Sequence, residues 1–68
     1  MIIYVHSKYR EIKYESNIMP RENEILCFPH FGTFKINRIV YRISDDTEHN
    51  RVMWIDVWVD VFVDEERL

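Results

Sequence analysis

The sequence predicts an all-β protein: a small, partly open barrel of about five strands, with a bulged fourth strand and a long C-terminal strand. The first observation behind this prediction is a strict alternation of side-chain types over residues 52–64. The second is that residues 33–44 carry apolar side chains on both parities, which a regular strand cannot bury together. The third is that no stretch sustains the 3.6-residue apolar period of an amphipathic helix.

Three short strands are predicted in the first 28 residues. Residues 2–6 are rich in β-branched and aromatic side chains, which favour a first strand. Residues 9–15 alternate apolar with charged side chains, a pattern typical of an edge strand. A loop at 16–23, which contains Pro20, precedes a short apolar third strand at 24–28.

The fourth strand is predicted to contain a β-bulge. Its apolar residues fall on two parities: Phe34 and Ile36 on one, and Ile39, Tyr41 and Ile43 on the other. One extra residue near Asn37 and Arg38 would turn all of them inward, and such bulges bend strands where small barrels close. Gly32 ends the turn at 29–32 that precedes this strand and is predicted to have a positive φ. The polar residues 45–50 are predicted to form a hairpin loop.

The fifth strand is predicted over residues 52–64, with two different faces. The odd positions are aliphatic and are predicted to face the core: Met53, Ile55, Val57, Val59, Val61 and Val63. The even positions alternate aromatic and acidic side chains: Trp54, Asp56, Trp58, Asp60, Phe62 and Asp64. The five-strand outline fits an SH3-like or an OB-like barrel, which differ in connectivity that alternation does not encode.

Length and composition limit the class of protein. The 68 residues make one small β domain, 1–68, and a chain this short is marginally stable without a disulfide, a metal or oligomerisation. A single cysteine, Cys27, excludes an internal disulfide and fits a reducing compartment. We therefore expect a cytoplasmic protein of a bacterial or host cell, without a signal peptide or a membrane segment.

Charge divides the chain into two unequal parts. Residues 1–44 carry seven Lys or Arg and four Glu, whereas residues 45–68 carry eight acids and two Arg. Such a split argues against simple nucleic-acid binding, which needs a basic surface. It permits self-pairing between copies or an acidic surface that faces a basic partner.

The acidic-aromatic positions of the fifth strand predict a protein-binding face. The predicted partner-binding residues are Trp54, Asp56, Trp58, Asp60, Phe62 and Asp64. Interface cores are enriched in aromatic residues, and exposed aromatic patches usually mark contact sites. The partner is expected to be a second copy, giving a dimer or larger homo-oligomer, or a basic protein. Small acidic proteins of phages and mobile elements that inhibit host proteins have this general character.

Two alternatives remain open from the sequence. The aromatic and acidic side chains of this face could instead find their partners within the same chain. One allowed register puts Arg42 opposite Trp54 and Arg38 opposite Trp58, where each guanidinium could stack on an indole ring. Alternatively, the barrel could bind a nucleotide or short oligonucleotide, in a pocket within one copy or between subunits. Aromatic and basic residues of the first half would line that pocket: Tyr4, Tyr9, Arg10, Tyr14 and Phe31.

No combination of residues indicates catalysis or a cofactor. His6, His30 and His49 with Cys27 lack the paired spacing of zinc ligands. Cys27 lies in an apolar strand and is predicted to be buried and inert. No oxyanion or phosphate loop is expected, because Gly32 is the only glycine. We therefore expect a non-enzymatic protein that needs no metal or cofactor.

Overall fold

The computed structural model describes residues 1–45 and 51–62, which form a single mixed β-sheet curled into a half-barrel. Its strands are β1 (Ile2–His6), β2 (Glu11–Glu15), β3 (Ile25–Phe28), β4 (Gly32–Ile43) and β5 (Val52–Val61). The predicted small, partly open barrel with a bulged fourth strand and a long last strand is confirmed. The described ranges contain no helix, and therefore none that could cross a membrane.

The strand order is β2-β1-β5-β4-β3. Neighbours pair antiparallel except β1 and β5, which run parallel. Parallel neighbours need a long crossover connection, and here that crossover contains β2, β3 and β4. The order that the sequence left open is thus set by β5, which inserts between the β1–β2 hairpin and the β3–β4 hairpin.

Two irregularities in the β4–β5 pairing bend these strands. Ile36 pairs with Val59 and Arg38 with Trp58, so Asn37 is the extra residue on β4, as predicted. A second shift, between Arg42 and Ile43, leaves Met53 as the extra residue on β5. This second bulge was not predicted, and it moves Val52 rather than Met53 against the core.

Two residues with positive φ shape the turns before β3 and β4. Gly32 has a φ of 112°, in agreement with the prediction. Asn23 has a φ of 70°, and its N–H donates to the Ile36 carbonyl while the Ile36 N–H donates to the Glu24 carbonyl. These hydrogen bonds are those of a bulge whose first residue is left-handed, a conformation that Asn tolerates better than most residues.

The core fills the concave side of the sheet. The buried apolar residues come from four of the five strands: Ile3, Val5, Ile12, Phe34, Ile36, Ile55, Val57 and Val59. β3 contributes no fully buried side chain, although Leu26 and Phe28 pack against the core. The two sheet edges meet through Tyr14 and Phe28, whose ring centroids are 5.6 Å apart. The half-barrel is therefore closed there by side chains rather than by hydrogen bonds between strands.

Several residues predicted to face the core are exposed. Met53 is 47% exposed because it is the bulged residue, and Val61 is 52% exposed at the open end of the barrel. Tyr41 and Ile43 are also exposed, and they lie beyond the segment of β4 that pairs with β3, which ends at Lys35. Val63 lies outside the described residues. The prediction that Cys27 is buried is wrong, because Leu26 and Phe28 point inward and Cys27 points out.

Candidate protein-contact face

The convex side of the sheet carries aromatic and charged side chains from its three central strands. We call this surface the tryptophan face, and it consists of Tyr4 and His6 of β1, Arg38 and Arg42 of β4, and Trp54, Asp56, Trp58 and Asp60 of β5. Arg42 lies opposite Trp54 and Arg38 opposite Trp58, which is the register of the alternative in which this face is satisfied within the fold. β1 adds its outward residues from the other side, with Tyr4 opposite Asp56 and His6 opposite Trp58.

Asp56 is the centre of a hydrogen-bonded network. It is only 8% exposed and accepts hydrogen bonds from His6 Nε2 at 2.8 Å, Arg42 Nε at 2.7 Å and Trp54 Nε1 at 3.2 Å. Burial alone would raise the pKa of the Asp56 carboxyl group. The donors Arg42, His6 and Trp54 outweigh that effect and lower this pKa below its ordinary value. The carboxylate is therefore held ionised and is not free to attract a distant partner.

His6 links the network to the neighbouring strand and to Trp58. Its Nδ1 lies 3.2 Å from Glu11 Oε1, and its ring packs on Trp58 with centroids 5.0 Å apart. Burial would lower the pKa of His6, but the hydrogen bonds to Asp56 and Glu11 outweigh it and raise the pKa above its ordinary value. The protonated ring can donate to both carboxylates at once, which the neutral ring cannot.

The two tryptophans are fixed by their neighbours and remain half-buried. Trp54 meets Tyr4 edge to face, with centroids 6.4 Å apart at 89°. The Arg38 guanidinium stacks on Trp58 at 4.5 Å from the ring centroid, as the alternative of a face satisfied within the fold requires. Arg42, which would stack on Trp54 in the same alternative, bonds to Asp56 instead. An ionised carboxylate binds a guanidinium more strongly than an indole ring does.

The outer end of the predicted face is more open. Asp60 is exposed and accepts a hydrogen bond from the side chain of Asn37, the bulged residue of β4. Phe62 follows the end of β5, is exposed, and is anchored by its N–H to the Thr33 carbonyl at 2.9 Å. Asp64 lies outside the described residues. Trp54, Asp56, Trp58 and Asp60 therefore form one row, and Phe62 continues it at the rim.

The five residues predicted to bind a ligand are divided among three places. Tyr9, Arg10 and Phe31 line a cleft of about 190 Å³ between the β1–β2 and β3–β4 turns. The Arg10 guanidinium stacks on Phe31 at 4.8 Å from the ring centroid. Tyr4 lies on the tryptophan face, and Tyr14 packs against the core on the concave side.

The remaining candidates stay apart. His6 belongs to the network, His30 is exposed in a turn, and His49 lies outside the described residues. Cys27 is exposed and accepts a weak hydrogen bond from the Thr33 hydroxyl at 3.5 Å. Within residues 1–45 and 51–62, no group of three His, Cys, Asp or Glu residues is arranged to hold a metal ion.

Sequence reasoning missed that His6 and Asp56 form the centre of this surface. Alternation within β1 could have shown part of this, because Tyr4 and His6 alternate with the buried Ile3 and Val5 and must therefore point outward. It could not show that β1 pairs with β5, because the two strands are far apart in the chain.

No family model, curated protein or solved structure matches the chain.

Proposed function

We propose that this protein is a non-enzymatic binding protein that contacts a protein partner through the tryptophan face. The observation that carries the proposal is the pair Trp54 and Trp58, which are half-buried, lie in one row and are each held by neighbouring side chains. Binding hot spots are enriched in Trp and Arg, and this face presents both.

Preorganisation supports a role in binding rather than in stability alone. Immobilising a flexible side chain at an interface costs roughly 0.5–1.5 kcal/mol. Trp58 is already fixed between His6 and Arg38, and Trp54 by Tyr4 and the Asp56 carboxylate. A partner that covers these rings therefore meets a surface whose side-chain entropy has largely been lost during folding.

Charge complementarity favours a basic partner with a mixed contact surface. Asp56 is neutralised by His6 and Arg42, so it orients neighbours instead of attracting a partner. Asp60 is exposed, and residues 45–68 as a whole are acidic. A basic nucleic-acid-binding protein fits this pattern, and covering its binding surface would make this chain an inhibitor of the kind that phages and mobile elements encode. A homo-oligomer is also part of the proposal, because the chain is short and cannot form an internal disulfide.

The test compares two double variants of the tagged protein. Trp54→Ala with Trp58→Ala removes the proposed anchors, whereas Tyr41→Ala with Ile43→Ala removes exposed apolar side chains elsewhere on β4. A protein captured by the wild type is purified and its affinity for each variant is measured by calorimetry. We expect the tryptophan variant to bind at least about tenfold more weakly, with the control unchanged. Equal affinity for a folded tryptophan variant, or no captured protein at all, would contradict the proposal.

A nucleotide is the second candidate ligand, and one observation favours it. Arg10 lines the cleft beside Tyr9 and Phe31, and none of the described acidic side chains forms an ion pair with it. Stacking rings next to a guanidinium are typical of base and phosphate recognition. Titration with a panel of nucleoside monophosphates, followed by NMR, tests this. We expect shifts at Tyr9, Arg10 and Phe31 that Arg10→Ala abolishes, and no shift at millimolar nucleotide would exclude this function.

A further inference from the structure

We propose that β3 pairs edge to edge and antiparallel with β3 of a second copy, giving a dimer with a continuous ten-stranded sheet. This contact lies at the sheet margin beyond β4, away from the tryptophans, and it assigns the expected self-association to a strand that the proposed function does not use.

On its open side, the backbone of β3 has groups that no described residue pairs with. Hydrogen-bonding direction alternates along an antiparallel strand. Because the Glu24 carbonyl accepts from the Ile36 N–H, the groups of Leu26 and Phe28 also face β4. The N–H and C=O groups of Ile25 and Cys27 therefore point away from the sheet, where β3 has no neighbouring strand among the described residues.

The opposite edge of the sheet is protected in a way that β3 is not. The outward side chains of β2 are Glu11, Lys13 and Glu15, and charged side chains on an edge discourage pairing with another chain. β3 reads Ile-Leu-Cys-Phe and carries no charge. An uncharged, apolar edge strand is the type that pairs with a further strand.

Exposed apolar side chains surround this open edge. Ile25 is 44% exposed, and Ile18 and Met19 in the preceding loop are exposed beside it. Together with Leu26 of β3 and Tyr14 of β2 they line a groove of about 210 Å³ between the two sheet edges. A strand added to β3 would cover part of this apolar surface as well as the backbone groups.

A second copy of β3 is the occupant that fits best. In the antiparallel register centred on Leu26, Ile25 of each copy lies opposite Cys27 of the other, and all the free groups of both residues become paired. Glu24, the charged residue that precedes β3 in the chain, then lies opposite Phe28 of the other copy rather than opposite another carboxylate. The contact also supplies the oligomerisation that short chains without disulfides commonly need.

The test uses one backbone change at two edges. Cys27→Pro removes an N–H that points to the open side of β3, a position where edge strands tolerate proline. Lys13→Pro is the matched control, because the Ser7–Arg10 and Met1–Ser16 hydrogen bonds place the Lys13 N–H on the open side of β2. Dimerisation is measured by sedimentation equilibrium from about 10 µM to about 1 mM, with circular dichroism as the check on folding.

We expect the wild type and Lys13→Pro to dimerise alike. Cys27→Pro removes two hydrogen bonds per dimer, so its dissociation constant should rise by roughly ten- to hundredfold. A folded Cys27→Pro that dimerises as tightly as the wild type would overturn the proposal, and so would a wild-type protein that is monomeric at every concentration.

A second variant pair keeps the proposal testable if Cys27→Pro does not fold. Ile25→Lys places a charge at the β3 edge without changing the backbone, and Ile25→Val is its conservative control. Only the lysine variant should lose the dimer. Cys27 is the only thiol in the chain, so cross-linking by a short bismaleimide should join the wild-type copies and fail in Ile25→Lys.

The tryptophan variant separates the two proposals. Trp54→Ala with Trp58→Ala should lose the protein partner and still dimerise. Loss of the dimer in that folded variant would instead assign self-association to the tryptophan face and overturn pairing through β3.

Discussion

The two edges of this sheet differ in chemistry and in how firmly they are joined to the core. β2 contributes the buried Ile12, and its outward Glu11 bonds to His6 of the central network. β3 contributes only the partly buried Leu26 and Phe28, and its outward residues Ile25 and Cys27 are exposed. One edge is thus charged and tied to the centre of the sheet, whereas the other is apolar and open. A very small protein can therefore use one edge of its sheet for stability and leave the other for the proposed association.

The largest expected difference between the edges is in the free energy of unfolding of the monomer. Ile12→Ala removes a buried side chain and should cost about 2–4 kcal/mol. Leu26→Ala removes a partly buried one and should cost about 1–2 kcal/mol, because less apolar area and a smaller cavity are involved. Urea denaturation at low protein concentration measures both. Equal costs would show that β3 is as firmly packed as β2.

The next largest effect concerns the network that joins β1, β4 and β5. Asp56→Ala leaves His6, Arg42 and Trp54 without their common acceptor and should destabilise the fold by about 2 kcal/mol. Asp60→Ala is the control, since Asp60 is exposed and should change stability by less than about 0.5 kcal/mol. If Asp56→Ala left the free energy of unfolding unchanged, the network would not stabilise the sheet.

The smallest effect is a dependence of stability on pH through His6. The pKa of His6 is raised in the folded state. Its contribution to the free energy of unfolding is therefore complete below the pKa of the unfolded chain, about 6.5, and is lost as the pH rises through the pKa of the folded state. The urea midpoint should therefore decrease between about pH 6 and pH 8, and His6→Gln should remove this decrease. A midpoint that increases over this range in the wild type would contradict the assigned partners Asp56 and Glu11.

Asp56 gives the opposite dependence at acid pH. The pKa of Asp56 is lowered in the folded state. Its contribution to the free energy of unfolding is therefore present above the pKa of the unfolded chain, about 3.9, and is lost as the pH falls through the pKa of the folded state. The two groups together predict a stability maximum on the mildly acid side of neutrality.

Local patterns in the sequence predicted the strands and the Asn37 bulge, and they allowed the β4–β5 register that is observed. Alternation assigns residues to faces, and the inward residues of one strand must lie opposite those of the next, which placed Arg38 beside Trp58. The Met53 bulge was missed because Met is apolar and fitted the alternation.

Patterns within single strands do not predict which strands pair when they are far apart in the chain. The parallel contact of β1 with β5 brings His6 to Asp56, yet no pattern within either strand encodes it. The wrong prediction for Cys27 has a different cause. All four residues of β3 are apolar, so alternation within the strand did not show which two face the core.

Amide hydrogen exchange compares the two edges most directly. We expect the amides of Ile25 and Cys27 to become protected as the concentration rises from about 10 µM to about 1 mM, while those of Glu11, Lys13 and Glu15 exchange rapidly throughout. Rapid exchange of Ile25 and Cys27 at every concentration, at the rate of Lys13, would contradict the account of β3 as the associating edge.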